Sequence, residues 1–160
     1  MPSTATGTVT FYNNGSTVLG SGTVSGGIAT FSTSTLAVGS YSITAAYSGD
    51  SNYNPNTSGA LTLTVSPPPA TMASPAPGST LTSASTTFTW NPASGSVTGY
   101  YLWVGTSLGA ADLVNIGPLS GTSATVTLPT TGATIYVRLW TVFNGTTYLY
   151  NDYTYKEVTQ

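Results

Sequence analysis

The chain has 160 residues and a formal net charge of −2, with only 4% of its residues charged, against about 25% in ordinary globular chains. Arg138 and Lys156 are its only basic residues, too few to neutralise a run of phosphates or to hold an anionic membrane surface, which excludes nucleic-acid binding. Histidine and cysteine are absent, so disulfides, thiolate chemistry and histidine-based catalysis or metal binding are excluded as well.

Hydrophobic residues make up 39% of the chain, enough to fold, and the solvated surface must be built from Ser, Thr, Asn and Gly. No stretch approaches the ~18 apolar residues of a membrane span, so membrane insertion is not expected. Met1 is followed by PSTATG, without the basic start and apolar run of a signal peptide. The sequence reads as a portion of a larger exported protein.

Short alternating runs broken by Gly, Asn, Pro or Asp recur throughout, which is the all-β pattern. In the first half, strands are expected at Thr8–Tyr12, Thr17–Leu19, Gly22–Val24, Ile28–Ser32, Tyr41–Tyr47 and Ala60–Val65. Turns fall at Asn13-Asn14-Gly15, Gly26-Gly27 and Val38-Gly39, where Gly and Asn supply positive φ. Pro67-Pro68-Pro69 interrupts the ladder and predicts a short, semi-rigid linker over 67–73. Beyond it, strands are expected at Thr86–Trp90, Tyr100–Gly105, Leu113–Ile116, Ala124–Leu128, Ile135–Phe143 and Tyr148–Tyr155.

The first half carries Gly7-Thr8-Val9-Thr10-Phe11, Gly27-Ile28-Ala29-Thr30-Phe31, Leu36-Ala37-Val38-Gly39 and Tyr47-Ser48-Gly49-Asp50-Ser51-Asn52-Tyr53. In these it resembles the bacterial immunoglobulin-like repeat, a module strung along secreted and surface proteins. Relatives of that module usually place roughly 20 residues, forming two strands, before the GTVTF strand, whereas Met1–Thr6 precede it here. The resemblance therefore implies a first sandwich with an open edge, completed by another segment or by another copy through strand addition. The second half, with Trp90 after Thr86-Thr87-Phe88-Thr89 and the long TIYVRLWTVFNG run from Thr134 to Gly145, resembles a fibronectin type III-like domain. The expected architecture is all-β: two tandem β-sandwiches, over 1–66 and 74–160, joined by the proline-rich linker.

Chemistry-bearing residues are scarce. The side-chain carboxylates are Asp50, Asp112, Asp152 and Glu157, and no serine has a histidine base or a GxSxG elbow. No catalysis and no cofactor are expected. Ser48-Gly49-Asp50-Ser51-Asn52 offers one carboxylate, where calcium usually wants two or more, so Asp50 and Asn52 read as loop-shaping residues. Asp152 and Glu157, beside Lys156, read as an ordinary strand end.

The candidate binding surface is aromatic. Alternation along the long strand puts Ile135, Val137, Leu139 and Thr141 on one face and Tyr136, Arg138 and Trp140 on the other. Tyr100, Leu102 and Val104 match the inward pattern, leaving Tyr101 and Trp103 outward. Neighbouring strands would gather Tyr101, Trp103, Tyr136, Arg138 and Trp140 on one outer face, with Tyr148, Tyr150 or Tyr153 added according to the register of the last hairpin. Arg138 is expected to stack on a ring or to pair with Asp152.

Three readings suit such a face: a ladder that stabilises the sheet, a surface docking neighbouring modules of the same or a parent protein, or a platform for a polysaccharide. The function expected from the whole is a non-catalytic extracellular spacer or adhesion segment of a bacterial surface or secreted protein. The alternatives are a carbohydrate-binding module and a fibre subunit that self-associates through an open strand edge.

Overall fold

A computed structural model of the protein describes residues 1–159, which form twelve β-strands and no helix. Gln160, the end of the expected second domain, lies outside the described residues. The chain divides into two compact units, Met1–Ser66 and Pro67–Gln160.

The first unit contains β1 (Thr8–Asn13), β2 (Thr17–Thr23), β3 (Gly39–Tyr47), β4 (Asn56–Thr57) and β5 (Leu61–Val65). They make one antiparallel sheet in the order β2-β1-β3-β4, with β5 also paired to β3. The β1–β2 hairpin turns on Asn14 and Gly15, both at positive φ (50° and 72°), as a tight turn matched to strand twist requires. Two expected strands, Thr17–Leu19 and Gly22–Val24, are continuous as β2, because Gly20 and Ser21 stay in the ladder opposite Phe11 and Thr10.

Ile28–Ser32, expected as a strand, makes no ladder beyond an isolated bridge between Ser25 and Ile28. The segment instead lies across the sheet. Phe31 stacks on Phe11 with ring centroids 5.9 Å apart, and the space that side chains would fill at Gly20 and Gly22 is taken by the Phe31 ring and the Thr30 backbone. A strand needs a hydrogen-bonded neighbour, and no other strand shares this second layer. The core is correspondingly small, with Ala5, Val9 and Val24 as its fully buried apolar residues.

The second unit contains β6 (Thr71–Ser74), β7 (Ser85–Asn91), β8 (Val97–Gly105), β9 (Val114–Leu119), β10 (Ser123–Thr127), β11 (Thr134–Phe143) and β12 (Thr147–Lys156). A three-stranded sheet, β10-β7-β6, faces a four-stranded one, β12-β11-β8-β9. This three-on-four order is that of a fibronectin type III-like sandwich. Its core is far larger, fourteen buried residues that include Phe88, Leu102, Val104, Ile135, Val137 and Leu139. Trp90 meets Tyr100 edge to face at 5.6 Å, and Phe88 meets Tyr155 at 5.4 Å.

Thr71–Ser74 falls mostly inside the stretch expected as linker, yet it is β6, paired with β7. Ala70 is the reason. It is 1% exposed, its N–H donates to Thr141 Oγ1 at 2.8 Å, and its carbonyl accepts from Asn151 Nδ2 at 2.9 Å. Both backbone polar groups are thus satisfied by side chains of the opposite sheet, which fastens the chain to the sandwich four residues after Ser66.

Candidate functional site

The outer face of the four-stranded sheet is set by two registers. Arg138 lies opposite Trp103 and Trp140 opposite Tyr101 on β8. On β12, Arg138 lies opposite Asp152 and Trp140 opposite Tyr150. The second register follows from the β11–β12 turn at Asn144 and Gly145, both at positive φ (52° and 73°). It places Tyr148 and Tyr150 on the outer face and Tyr153 on the inner one, where the Tyr153 hydroxyl accepts from the Met72 N–H at 2.9 Å.

Four rings line an open cleft of about 350 Å³: Tyr101, Trp103, Trp140 and Tyr148. The rings are not coplanar. Trp103 and Trp140 meet at 68° with centroids 5.2 Å apart, Trp140 and Tyr148 at 80° and 6.4 Å, and Tyr101 and Tyr148 at 44° and 6.3 Å. Tyr150 adds a further edge-to-face contact with Trp140 at 4.7 Å. Such pairs contribute about 0.5–1.5 kcal/mol each beyond area burial. The geometry is an open depression whose volume lies at the small end of ligand sites, about 300–1,000 Å³. A flat row of parallel rings is not formed.

The indole N–H groups of Trp103 and Trp140 are buried without acceptors, so the cleft is chemically apolar. Tyr136 stands apart from it and lines a second depression with Leu108 and Asp152.

Arg138 fulfils both expectations at once. Its Nε and Nη2 donate to Asp152 Oδ1 and Oδ2 at 2.7 and 2.8 Å, a bidentate pair. Its guanidinium carbon lies 3.8 Å from the Tyr150 ring centroid and 5.4 Å from that of Trp140. The hydrogen bond to Asp152 raises the Arg138 pKa further. On its other side Gly109, at φ 80°, comes so close that an added Cβ would press on the guanidinium. Arg138 is therefore enclosed by a carboxylate, a ring and a backbone.

The other carboxylates are also committed to the fold. Asp50 Oδ2 accepts from the Thr6 N–H at 2.7 Å and the Thr6 hydroxyl at 3.1 Å, while Oδ1 accepts from the N–H groups of Asn52 and Tyr53 at 2.8 and 2.9 Å. These bonds, the Thr6 N–H foremost, hold its pKa well below the usual carboxylate range. Asp112 accepts from the Thr106 hydroxyl and N–H at 2.8 and 3.0 Å, which lowers its pKa too. Glu157 is 3% exposed and accepts from the N–H and hydroxyl of Thr131. Its role differs from the expected strand-end charge, because it stitches the loop before β11 to the end of β12.

Residues 1–66 match the family described as bacterial Ig-like domain (group 3). Among solved structures, the fibronectin(III)-like modules of Clostridium thermocellum CbhA align over 100% of this chain and 82% of that one, at 16% identity and a TM-score of 0.39. No curated protein matches the chain.

Proposed function

We propose that this chain is a non-catalytic structural segment of a bacterial secreted or cell-surface protein, a pair of β modules that spaces or presents other parts of that protein. The family matched by residues 1–66 supports the setting, since such Ig-like modules are generally non-catalytic and commonly extracellular. The observation that carries the reading is the fate of the carboxylates: all four accept two or more hydrogen bonds from the chain itself. None is left as a free acid or base in a cleft. The test has two arms. Antibodies against the chain should label intact cells that produce it, and the purified chain should turn over no ester, peptide, glycoside or phosphoester substrate. An epitope reached only after lysis sinks the location, and turnover sinks the non-catalytic reading.

The four-ring cleft favours a second reading, a binding module for a neutral glycan. Sugar C–H faces pack on aromatic rings, and the near-neutral surface would neither attract nor repel an uncharged polysaccharide. Binding of the purified chain to an array of plant, fungal and bacterial polysaccharides should fall at least tenfold in the double variant W103A/W140A. Trp90, buried in the core, remains as the reporter that this variant is folded. Absence of binding to every polysaccharide, or binding that the double variant retains, refutes it.

A further inference from the structure

The first unit covers one half of its apolar face and leaves the other half only partly covered, with Tyr41 and Ile43 half-buried and Leu61 and Leu63 exposed. Over β1 and β2 the face is closed by Ala29–Phe31, and Val9 beneath is 5% exposed. The same face runs on through Tyr41 and Ile43 of β3 to Leu63 and Leu61 of β5, which lie opposite them in register. There Leu61 is 68% and Leu63 40% exposed. A cleft of about 340 Å³ opens at the boundary, with Val9, Phe11, Ala29 and Ala45 among its lining.

Beside this face, two stretches of backbone edge are also free. From Ala29 to Val38 the backbone makes no backbone–backbone hydrogen bond to any described residue, and β5 is bonded along one edge only, to β3. Bare apolar area and unpaired edges are both features that folded proteins normally cover.

We infer that a second copy of this chain satisfies all three, in a closed two-fold dimer built on the first unit. Two copies are set face to face about an axis that runs along β5, midway between layers spaced about 10 Å apart. The β3–β5 half of each sheet then roofs the same half of the other. Thr30 and Phe31 sit in the layer opposite their own sheet, so the same rotation brings the segment that carries them level with the partner's sheet. There it lies beside the partner's free β5 edge. One operation covers Tyr41, Ile43, Leu61 and Leu63 on both copies and matches each free edge with the other copy's different free edge. This is the reciprocal pairing that a two-fold interface demands. A two-fold contact is closed by its own symmetry, so this pairing does not propagate into a fibre.

Charge permits the contact. Asp50 is the single charged side chain in residues 1–66 and is fastened in its loop by four hydrogen bonds. The uncovered area spans about five residues along β5, roughly 17 Å, and the two strands β3 and β5, roughly 10 Å. With side-chain relief and the edge pairing on both sides, a pair buries on the order of several hundred Å² in total, in the range of weak, transient interfaces.

Sedimentation velocity on the full chain, from low micromolar to submillimolar concentration, should show a monomer passing to a dimer and no larger species. L61K/L63K should weaken the dimer about a hundredfold or more, since each lysine would be desolvated opposite its symmetry mate. T62K/T64K, on the opposite face of β5, should leave it intact. Should L61K/L63K fail to fold, S32P serves instead, because it removes an edge donor from a segment that has no backbone bond to lose in the monomer. Hydrogen exchange at Ala29–Leu36 should slow with rising concentration in the parent chain and not in the variants. A monomer at every concentration, a polymer that lengthens with concentration, or a dimer indifferent to both L61K/L63K and S32P overturns the inference.

Discussion

Thr141 is the residue whose replacement most directly tests how the second unit is held. It is fully buried, and its hydroxyl is the acceptor for the Ala70 N–H at 2.8 Å. Thr141→Val keeps the shape of the side chain and so opens no cavity, but it leaves a buried amide with no partner. That costs about 1–3 kcal/mol. For a unit of this size each kcal/mol moves the melting temperature by about 4–8 °C, so a fall of about 10 °C is expected. The assay is clean because all three tryptophans, Trp90, Trp103 and Trp140, lie in the second unit. Intrinsic tryptophan fluorescence therefore reports the melting of that unit alone. Thr141→Ser retains the acceptor and loses one methyl group, worth about 1 kcal/mol, and should melt between the two. If T141V melts within about 2 °C of the parent chain, the hydrogen bond does not anchor β6 and the reasoning fails.

Acid should act on the first unit through Asp50. Its folded-state pKa is depressed by the Thr6, Asn52 and Tyr53 N–H groups, so the stability it contributes is present above the ordinary carboxylate pKa of about 4 and drains away as pH falls below it. NMR-monitored melting of residues 1–66 should fall steeply below pH ~4 in the parent chain. In D50N the midpoint should start lower and lose that slope, and an unchanged slope would refute the assignment. Gly22→Ala should drive the Thr30 carbonyl off the sheet, since the new Cβ lands inside its contact distance. The readout is faster exchange and altered ring shifts at Phe11 and Phe31, and shifts identical to the parent's would show that the segment does not lie where described.

The all-β architecture was legible because alternation is clean where one face is buried. Ile135, Val137, Leu139 and Thr141 all turn inward, as the expense of burying Arg138 on that face demanded. The same alternation placed Tyr101, Trp103 and Trp140 together, but it could not orient the rings, since ring angles depend on packing with Tyr148 across the hairpin. That register hung on the Asn144-Gly145 turn. Tyr136 shares the parity of Trp140 and still falls outside the cleft, because it lies at the other end of β11 beside Gly105 and Thr154. Ala70 and β6 were hidden by the prolines before them: a small residue, a threonine and an asparagine far apart in the chain carry no local signal of their meeting. Ile28–Ser32 has the composition of a strand, and what it lacks is a neighbour, which no local pattern records.

The near absence of basic side chains has a consequence for proteolysis. Proteases that cut after lysine or arginine need several residues of extended, unpaired chain, and here they have two sites to choose from. Arg138 lies mid-strand in β11, bonded on both sides by β8 and β12. Lys156 ends β12 with its N–H and carbonyl bonded to Ser79 and Leu81. Digestion by such enzymes must therefore wait for the second unit to open. The first 137 residues offer no such site in any conformation.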